Sequence, residues 1–176
     1  PLEKGFGITI GNCLRRTLLS ALPGAAIQGI KFAPSLDVKH EFSTIKGVKE
    51  DVTEIILNLK TVAVKTTTTD IDFTKILKIS KEGPAVITAG DIEADAEVEV
   101  LNPDQYICTV ESGSIFDVDL TIGRGRGYKG ADYNKTGEMK SIIKVKNAYY
   151  GLSIIENTRR RLVDIQTSEE LYSAMN

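Results

Sequence analysis

Pro1-Leu2-Glu3-Lys4-Gly5-Phe6-Gly7-Ile8-Thr9-Ile10-Gly11-Asn12-Cys13-Leu14-Arg15-Arg16-Thr17-Leu18-Leu19-Ser20-Ala21-Leu22 opens the chain and is followed by Pro23-Gly24. Leu14, Leu18, Ala21 and Leu22 recur at helical spacing, Asn12 is suited to cap a helix start, and Pro23-Gly24 is suited to end one. The spacing therefore predicts a helix over residues 12–22, launched from a glycine turn over residues 5–11. At about 100° per residue Leu19 falls roughly 140° from Leu14, between Arg15 and Arg16. The helix is thus expected to carry two faces, one apolar and turned inward, the other part apolar and part cationic and open to a partner.

The glycines invite comparison with a phosphate-binding turn, but the spacing differs from G-x-G-x-x-G. Three residues separate Gly7 from Gly11, and no Lys-Ser/Thr pair follows Gly11. Tight turning and close packing are the simpler account of them.

Downstream, residues 26–33 read as a strand and residues 37–47 as a loop that holds the single histidine, His40. A second helix is expected over about 50–60. Val52, Ile55, Ile56 and Leu59 share a face there, with Asp51 and Glu54 early and Lys60 at the end, matching the helix dipole. From Thr61 to Ile122 the period changes to two, broken by turn signals at Glu82-Gly83-Pro84 and Asn102-Pro103-Asp104. Phe116, Val118, Leu120 and Ile122 alternate with Asp117, Asp119 and Thr121, as expected of a strand with one buried and one wet face. Thr66 to Thr69 reads as β-branched strand, Gly123 to Tyr128 as a structured loop, Ser141 to Val145 as strand and Ser168 to Met175 as a short helix.

At 176 residues the chain is long enough to bury a core without disulfide or metal. Its 22 Lys plus Arg against 24 Asp plus Glu give a formal net charge of −2, so no global positive field draws it to nucleic acid or anionic lipid. Cys13 and Cys108 lack metal-ligand spacing and read as free thiols of a reducing compartment, hence a cytoplasmic location. No apolar run approaches a membrane span. The start at Pro1, without methionine, reads as a piece of a longer polypeptide. His40 stands apart from any nucleophile signature or second metal ligand, and the carboxylates form no Asp-x-Asp cluster, so neither catalytic nor metal-binding residues nor a cofactor are assigned. Arg124, Arg126, Lys129 and Tyr128, interleaved with glycine, leave open an alternative: a nucleic-acid-binding module gripping phosphate and stacking bases.

Four stretches, taken in order, resemble the amino-terminal domain of bacterial and plastid RNA polymerase alpha subunits. They are Pro1 to Gly7 with Gly11-Asn12-Cys13-Leu14-Arg15-Arg16, His40-Glu41-Phe42-Ser43-Thr44, Glu50 to Lys60, and Arg124-Gly125-Arg126-Gly127-Tyr128. The resemblance implies an α+β architecture: a discontinuous dimerisation subdomain of helices on antiparallel sheet, residues 1–24 and 122–176, interrupted by a mostly β insert over 25–121. It implies a chain that pairs with a second alpha subunit through Leu14 and Leu18. Contact with the beta and beta prime subunits is implied for Arg15, Arg16, Leu19, Glu54, Lys60, Arg124, Arg126 and Tyr128. It further implies no direct nucleic-acid or membrane binding, and a role in a nucleotidyltransferase complex whose chemistry belongs to another subunit. The tail departs from the family pattern: after Ile155-Glu156-Asn157-Thr158-Arg159 the chain continues Arg160-Arg161-Leu162-Val163-Asp164 in place of the family's Gln-Arg-Thr-Asp segment.

Overall fold

The computed structural model describes residues 3–127 in full and the backbone of 128–129, 143–144 and 148–149. Two helices, α1 (Phe6–Ser20) and α2 (Val52–Leu59), accompany ten strands: β1 (Pro23–Phe32), β2 (Val64–Thr66), β3 (Thr74–Glu82), β4 (Ala85–Thr88), β5 (Val98–Val100), β6 (Tyr106–Val110), β7 (Ile115–Arg126), β8 (Tyr128–Lys129), β9 (Ile143–Lys144) and β10 (Ala148–Tyr149). This is the α+β fold class expected, and every strand pairing is antiparallel. The main sheet runs β3-β7-β1-β2-β5, with β9 also on β1. Smaller two-stranded sheets pair β4 with β6 and β8 with β10.

The long β7 strand organises the sheet because its alternation matches the pleat. Phe116, Val118, Leu120 and Ile122 are buried while Asp117, Asp119 and Thr121 are half-buried on the other face. Along β1, Ile27 faces Ile122, Ile30 faces Leu120 and Phe32 faces Val118. A bulge at Gln28 is what allows Ile27 and Ile30, three residues apart, to reach the same core, since one extra residue restores the side-chain parity. Phe32 meets Phe116 edge to face, with ring centroids 6.4 Å apart. On the other flank Leu77 and Ile79 of β3 lie beside Leu120 and Val118.

The second helix closes this core. Asp51 caps it, its Oδ1 accepting from the Glu54 N–H at 2.7 Å, and Val52, Ile55, Ile56 and Leu59 are all buried. Asn58 donates to the Ile107 carbonyl at 2.8 Å, tying α2 to β6. Glu50, just before the cap, accepts from the Thr109 N–H at 2.7 Å and from the Tyr106 hydroxyl. Burial, with the Glu50 charge adding to it, pushes the Tyr106 phenol above its ordinary range.

Three expectations are corrected. The first helix begins at Phe6, not Asn12: Gly5 at φ 98° reverses the chain, and Gly7, Gly11 and Asn12 are interior helical residues. Gly123 to Arg126 continue strand β7 instead of forming a loop, and the turn falls at Gly127, where φ is 60°. Thr67 to Thr69 leave the sheet after Thr66, because hydroxyl and carboxylate groups fold the chain back on itself. Thr66 Oγ1 accepts from the Thr68 N–H, Thr68 Oγ1 from the Asp70 N–H and Asp70 Oδ1 from the Asp72 N–H. Of the expected strand over 141–145 the structure describes residues 143–144, as β9, and the expected helix over 168–175 lies outside the described residues.

Phe116→Ala is expected to destabilise the fold by about 3–5 kcal/mol in chemical denaturation, the range for emptying a fully buried aromatic site, whereas Ile76→Ala, on the open face of β3, is expected to stay within about 0.5 kcal/mol. Thiol labelling at pH 8 should divide the two cysteines. Cys13 is exposed on α1, but burial, with Glu50 nearby, pushes the Cys108 thiol up to about 12. Only about one Cys108 in ten thousand is then a thiolate, so Cys108 should label only on unfolding.

Candidate functional site

No residue of α1 is buried. A helix of 15 residues with none of its side chains fully buried is the most unusual feature among the described residues. Its side chains sort into two faces. Leu14, Leu18 and Ile10 fall on one, together with Gly7 and Gly11, where an added Cβ meets nothing within 4 Å. Ile8, Arg15, Arg16 and Leu19 fall on the other. Ile8 is 75% exposed and Leu14 58%, Phe6 is also exposed, and Leu18 and Leu19 are half-buried.

Leu14, expected to face inward, is exposed, and among the described residues no core lies against that face. Leu19, expected to point outward, is as screened as Leu18, because the carboxy-terminal end of α1 rests on the end of β7. There the Leu19 carbonyl and the Ser20 backbone lie 3.4 Å from where a Cβ on Gly127 would stand. Glycine at 127 thus serves both the positive φ and the close approach.

The two arginines of the glycine-rich stretch differ in duty. Arg124 is opposite Ala25 in the β1–β7 ladder, and its guanidinium donates to the Thr68 carbonyl while its N–H reaches the Phe73 carbonyl at 3.3 Å. It therefore closes the loop over residues 67–73 onto the sheet. Arg126, opposite Pro23, is exposed at the junction of α1 and β1. The backbone of Tyr128 lies in β8, paired with Tyr149.

The structure gathers Arg126 and the end of α1 at one end of the β1–β7 ladder. Glu54 and Lys60 belong to a different element, α2. Glu54 is exposed in its first turn and Lys60, its carboxy-terminal cap, is half-buried. Leu57, 54% exposed, accompanies them on the solvent side. Sequence reading missed Phe6, Ile8 and Ile10 as surface residues. The i, i+4 series Phe6, Ile10, Leu14, Leu18 signals Phe6 and Ile10, but Gly7 and Gly11 mask it.

His40 stands in an exposed turn, where the Ser43 hydroxyl accepts from the Lys39 and His40 N–H groups at 3.3 and 3.2 Å. Among the described residues, no group of three or more His, Cys, Asp or Glu is placed to hold a metal ion, and no helix is long and apolar enough to cross a membrane.

Arg124→Ala should cost about 1–2 kcal/mol, by orphaning the Thr68 carbonyl, and should raise hydrogen exchange over residues 67–73. Arg126→Ala is expected to leave both within error.

A family model described as RNA polymerase Rpb3/RpoA insert domain matches residues 25–150. The DNA-directed RNA polymerase subunit alpha of Alkaliphilus metalliredigens is 55% identical over 139 residues, covering 79% of this chain and 42% of that protein. Those of Symbiobacterium thermophilum and Corynebacterium efficiens are 51% and 49% identical over 164 and 149 residues, covering 90% and 85% of this chain and 50% and 42% of theirs. The chain spans about half the length of the curated relatives it matches. With the family match extending over most of its sheet and α2, the chain belongs to the family of bacterial-type RNA polymerase alpha subunits, through the region that carries the RNA polymerase Rpb3/RpoA insert domain.

Proposed function

We propose that this chain is a non-catalytic assembly part of a cytoplasmic DNA-directed RNA polymerase, pairing with a second alpha copy and presenting separate surfaces to the beta and beta prime subunits. The observation that carries this reading is α1, a helix with no buried residue and two distinct faces. Gly7, Gly11, Leu14 and Leu18 form a low, apolar face over which a second helix can approach closely, and this face is assigned to the alpha–alpha contact. The interior glycines cost helix stability, about 1 kcal/mol each relative to alanine. A partner backbone packed over them supplies a reason for them that the described residues of the chain do not.

Ile8, Arg15, Arg16 and Leu19 form the second face, an apolar anchor beside two guanidinium groups, the composition that carries binding energy in protein interfaces. It is assigned to the large subunits, with Arg126 beside it and Glu54 and Lys60 on α2 as further contacts. Arg124 is reassigned within this reading to holding the 67–73 loop. The division into a dimerisation part, residues 1–24 and 122–176, and an insert, 25–121, belongs to the same proposal. Its two boundaries lie on adjacent strands of one ladder, two residues out of register, since Ala25 is opposite Arg124 and Ile27 opposite Ile122.

A nucleic-acid-binding role for residues 124–128 is disfavoured, because Arg124 is already engaged by the chain's own backbone. The test is capture of the beta subunit together with mass in solution. Arg16→Ala is expected to weaken beta capture about tenfold, as loss of an interface arginine does, with unfolding behaviour unchanged; capture at wild-type strength by the folded variant overturns the assignment.

A further inference from the structure

Among the described residues, strand β3 lies at the end of the main sheet, with β7 as its one ladder partner. Its backbone groups at Thr74, Ile76, Lys78, Ser80 and Glu82 turn away from β7, because the Lys78 carbonyl accepts from the Glu93 N–H at 2.9 Å on the opposite side. A nine-residue edge of this kind, with Ile76 59% exposed, is a template for unwanted strand pairing unless something covers it.

The segment Asp91-Ile92-Glu93-Ala94-Asp95-Ala96-Glu97 runs along that edge in the antiparallel sense. Lys81 meets Asp91 at 2.6 Å, Lys78 meets Glu93 through the main chain, and Lys75 meets both Asp95 and Glu97. Yet the segment is not a strand. The Ala94 N–H bonds back to the Ile92 carbonyl at 2.7 Å, which bends the chain out of ladder geometry, and the Glu93–Lys78 bond is the main-chain link to β3 that the described geometry provides. Ile92, 5% exposed, roots the middle of the segment in the core. Carboxylates at alternate positions thus face lysines spaced along β3 at both ends of the segment.

We propose that residues 91–97 are an electrostatically latched strap over the open edge of β3, held by Lys81–Asp91 at one end and by Lys75 with Asp95 and Glu97 at the other. The latch is ionised at neutral pH. Burial works against the Asp91 charge, but Lys81 and the Thr88 N–H more than offset it, and Lys75 holds Asp95 below the usual carboxylate range. The occupant of the edge is the chain's own acidic segment. With the Glu93–Lys78 bond as its described main-chain link to β3, it is the part of this sheet that opens first, while the β3–β7 ladder beneath stays intact.

Native-state hydrogen exchange on the 176-residue chain reads the latch through the Glu93 amide, which donates the strap's bond to β3. Lys75→Met and Lys81→Met each remove one anchor and leave in place the 2.8 Å hydrogen bond that the Thr88 N–H donates to Asp91. Each is expected to speed Glu93 exchange about threefold, and the double variant about tenfold, as for loss of part-exposed ion pairs. The Leu77 and Ile79 amides, bonded into the β7 ladder, should be unchanged. Unaltered Glu93 exchange in the double variant overturns the proposal, and so does an equal rise at Leu77 and Ile79, which would make the lysines general supports of the fold.

Discussion

The pairing of β1 with β7 is the constraint on which the rest of this structure depends. These strands place Ile27, Ile30 and Phe32 beside Ile122, Leu120 and Val118, and so set the core face against which α2 and the β4–β6 pair are laid. Because side chains alternate with a period of two, a slip of one residue would turn Phe116, Val118, Leu120 and Ile122 to solvent and three polar residues inward. The Gln28 bulge carries the apolar register past a position where the β1 sequence loses step. The same two strands extend beyond the apolar core into Pro23-Gly24 and Gly125-Arg126, where the sheet ends at the foot of α1.

Under the proposed assembly role, this arrangement separates stability from recognition. Residues 25–122 bury their own apolar face and need no partner to account for it. The α1 helix is different. Isolated helices of its length are marginal in water, and its glycines at 7 and 11 weaken it further. Among the described residues, what supports it is its attachment to β1 and its contact at Gly127, so the assembly role proposed for α1 would couple folding of that helix to association. The reading of two faces on one short helix explains why Arg15 and Arg16 sit beside Leu19 without any ion-pair partner among the described salt bridges.

The strap on β3 belongs to the stable part and shows a different use of charge. Exposed ion pairs add little to stability singly. Here their spacing along a strand matters more than their strength, because it fixes where an acidic segment lies and in which direction. Charged residues that look like an unremarkable wet face in the sequence thus acquire a specific position once the sheet order makes β3 an edge.

Much of the fold was legible from local pattern. Alternation in residues 116–122, the apolar face of Val52, Ile55, Ile56 and Leu59, and the Asp51 cap each report a local backbone geometry that the residue types themselves favour. The family resemblance was legible too, in motifs that include Arg15-Arg16 and Arg124 to Tyr128. Tertiary structure decided what those local rules leave open. Whether Gly5 to Gly11 turned or wound depended on one residue, Gly5, taking a positive φ. Whether Arg124 faced a partner or its own chain depended on the Thr66 to Phe73 segment folding back beneath it, a contact across more than fifty residues that no periodicity encodes. Leu14 has the spacing of a core residue and is exposed all the same, because spacing specifies a face of a helix and only packing specifies what stands opposite that face.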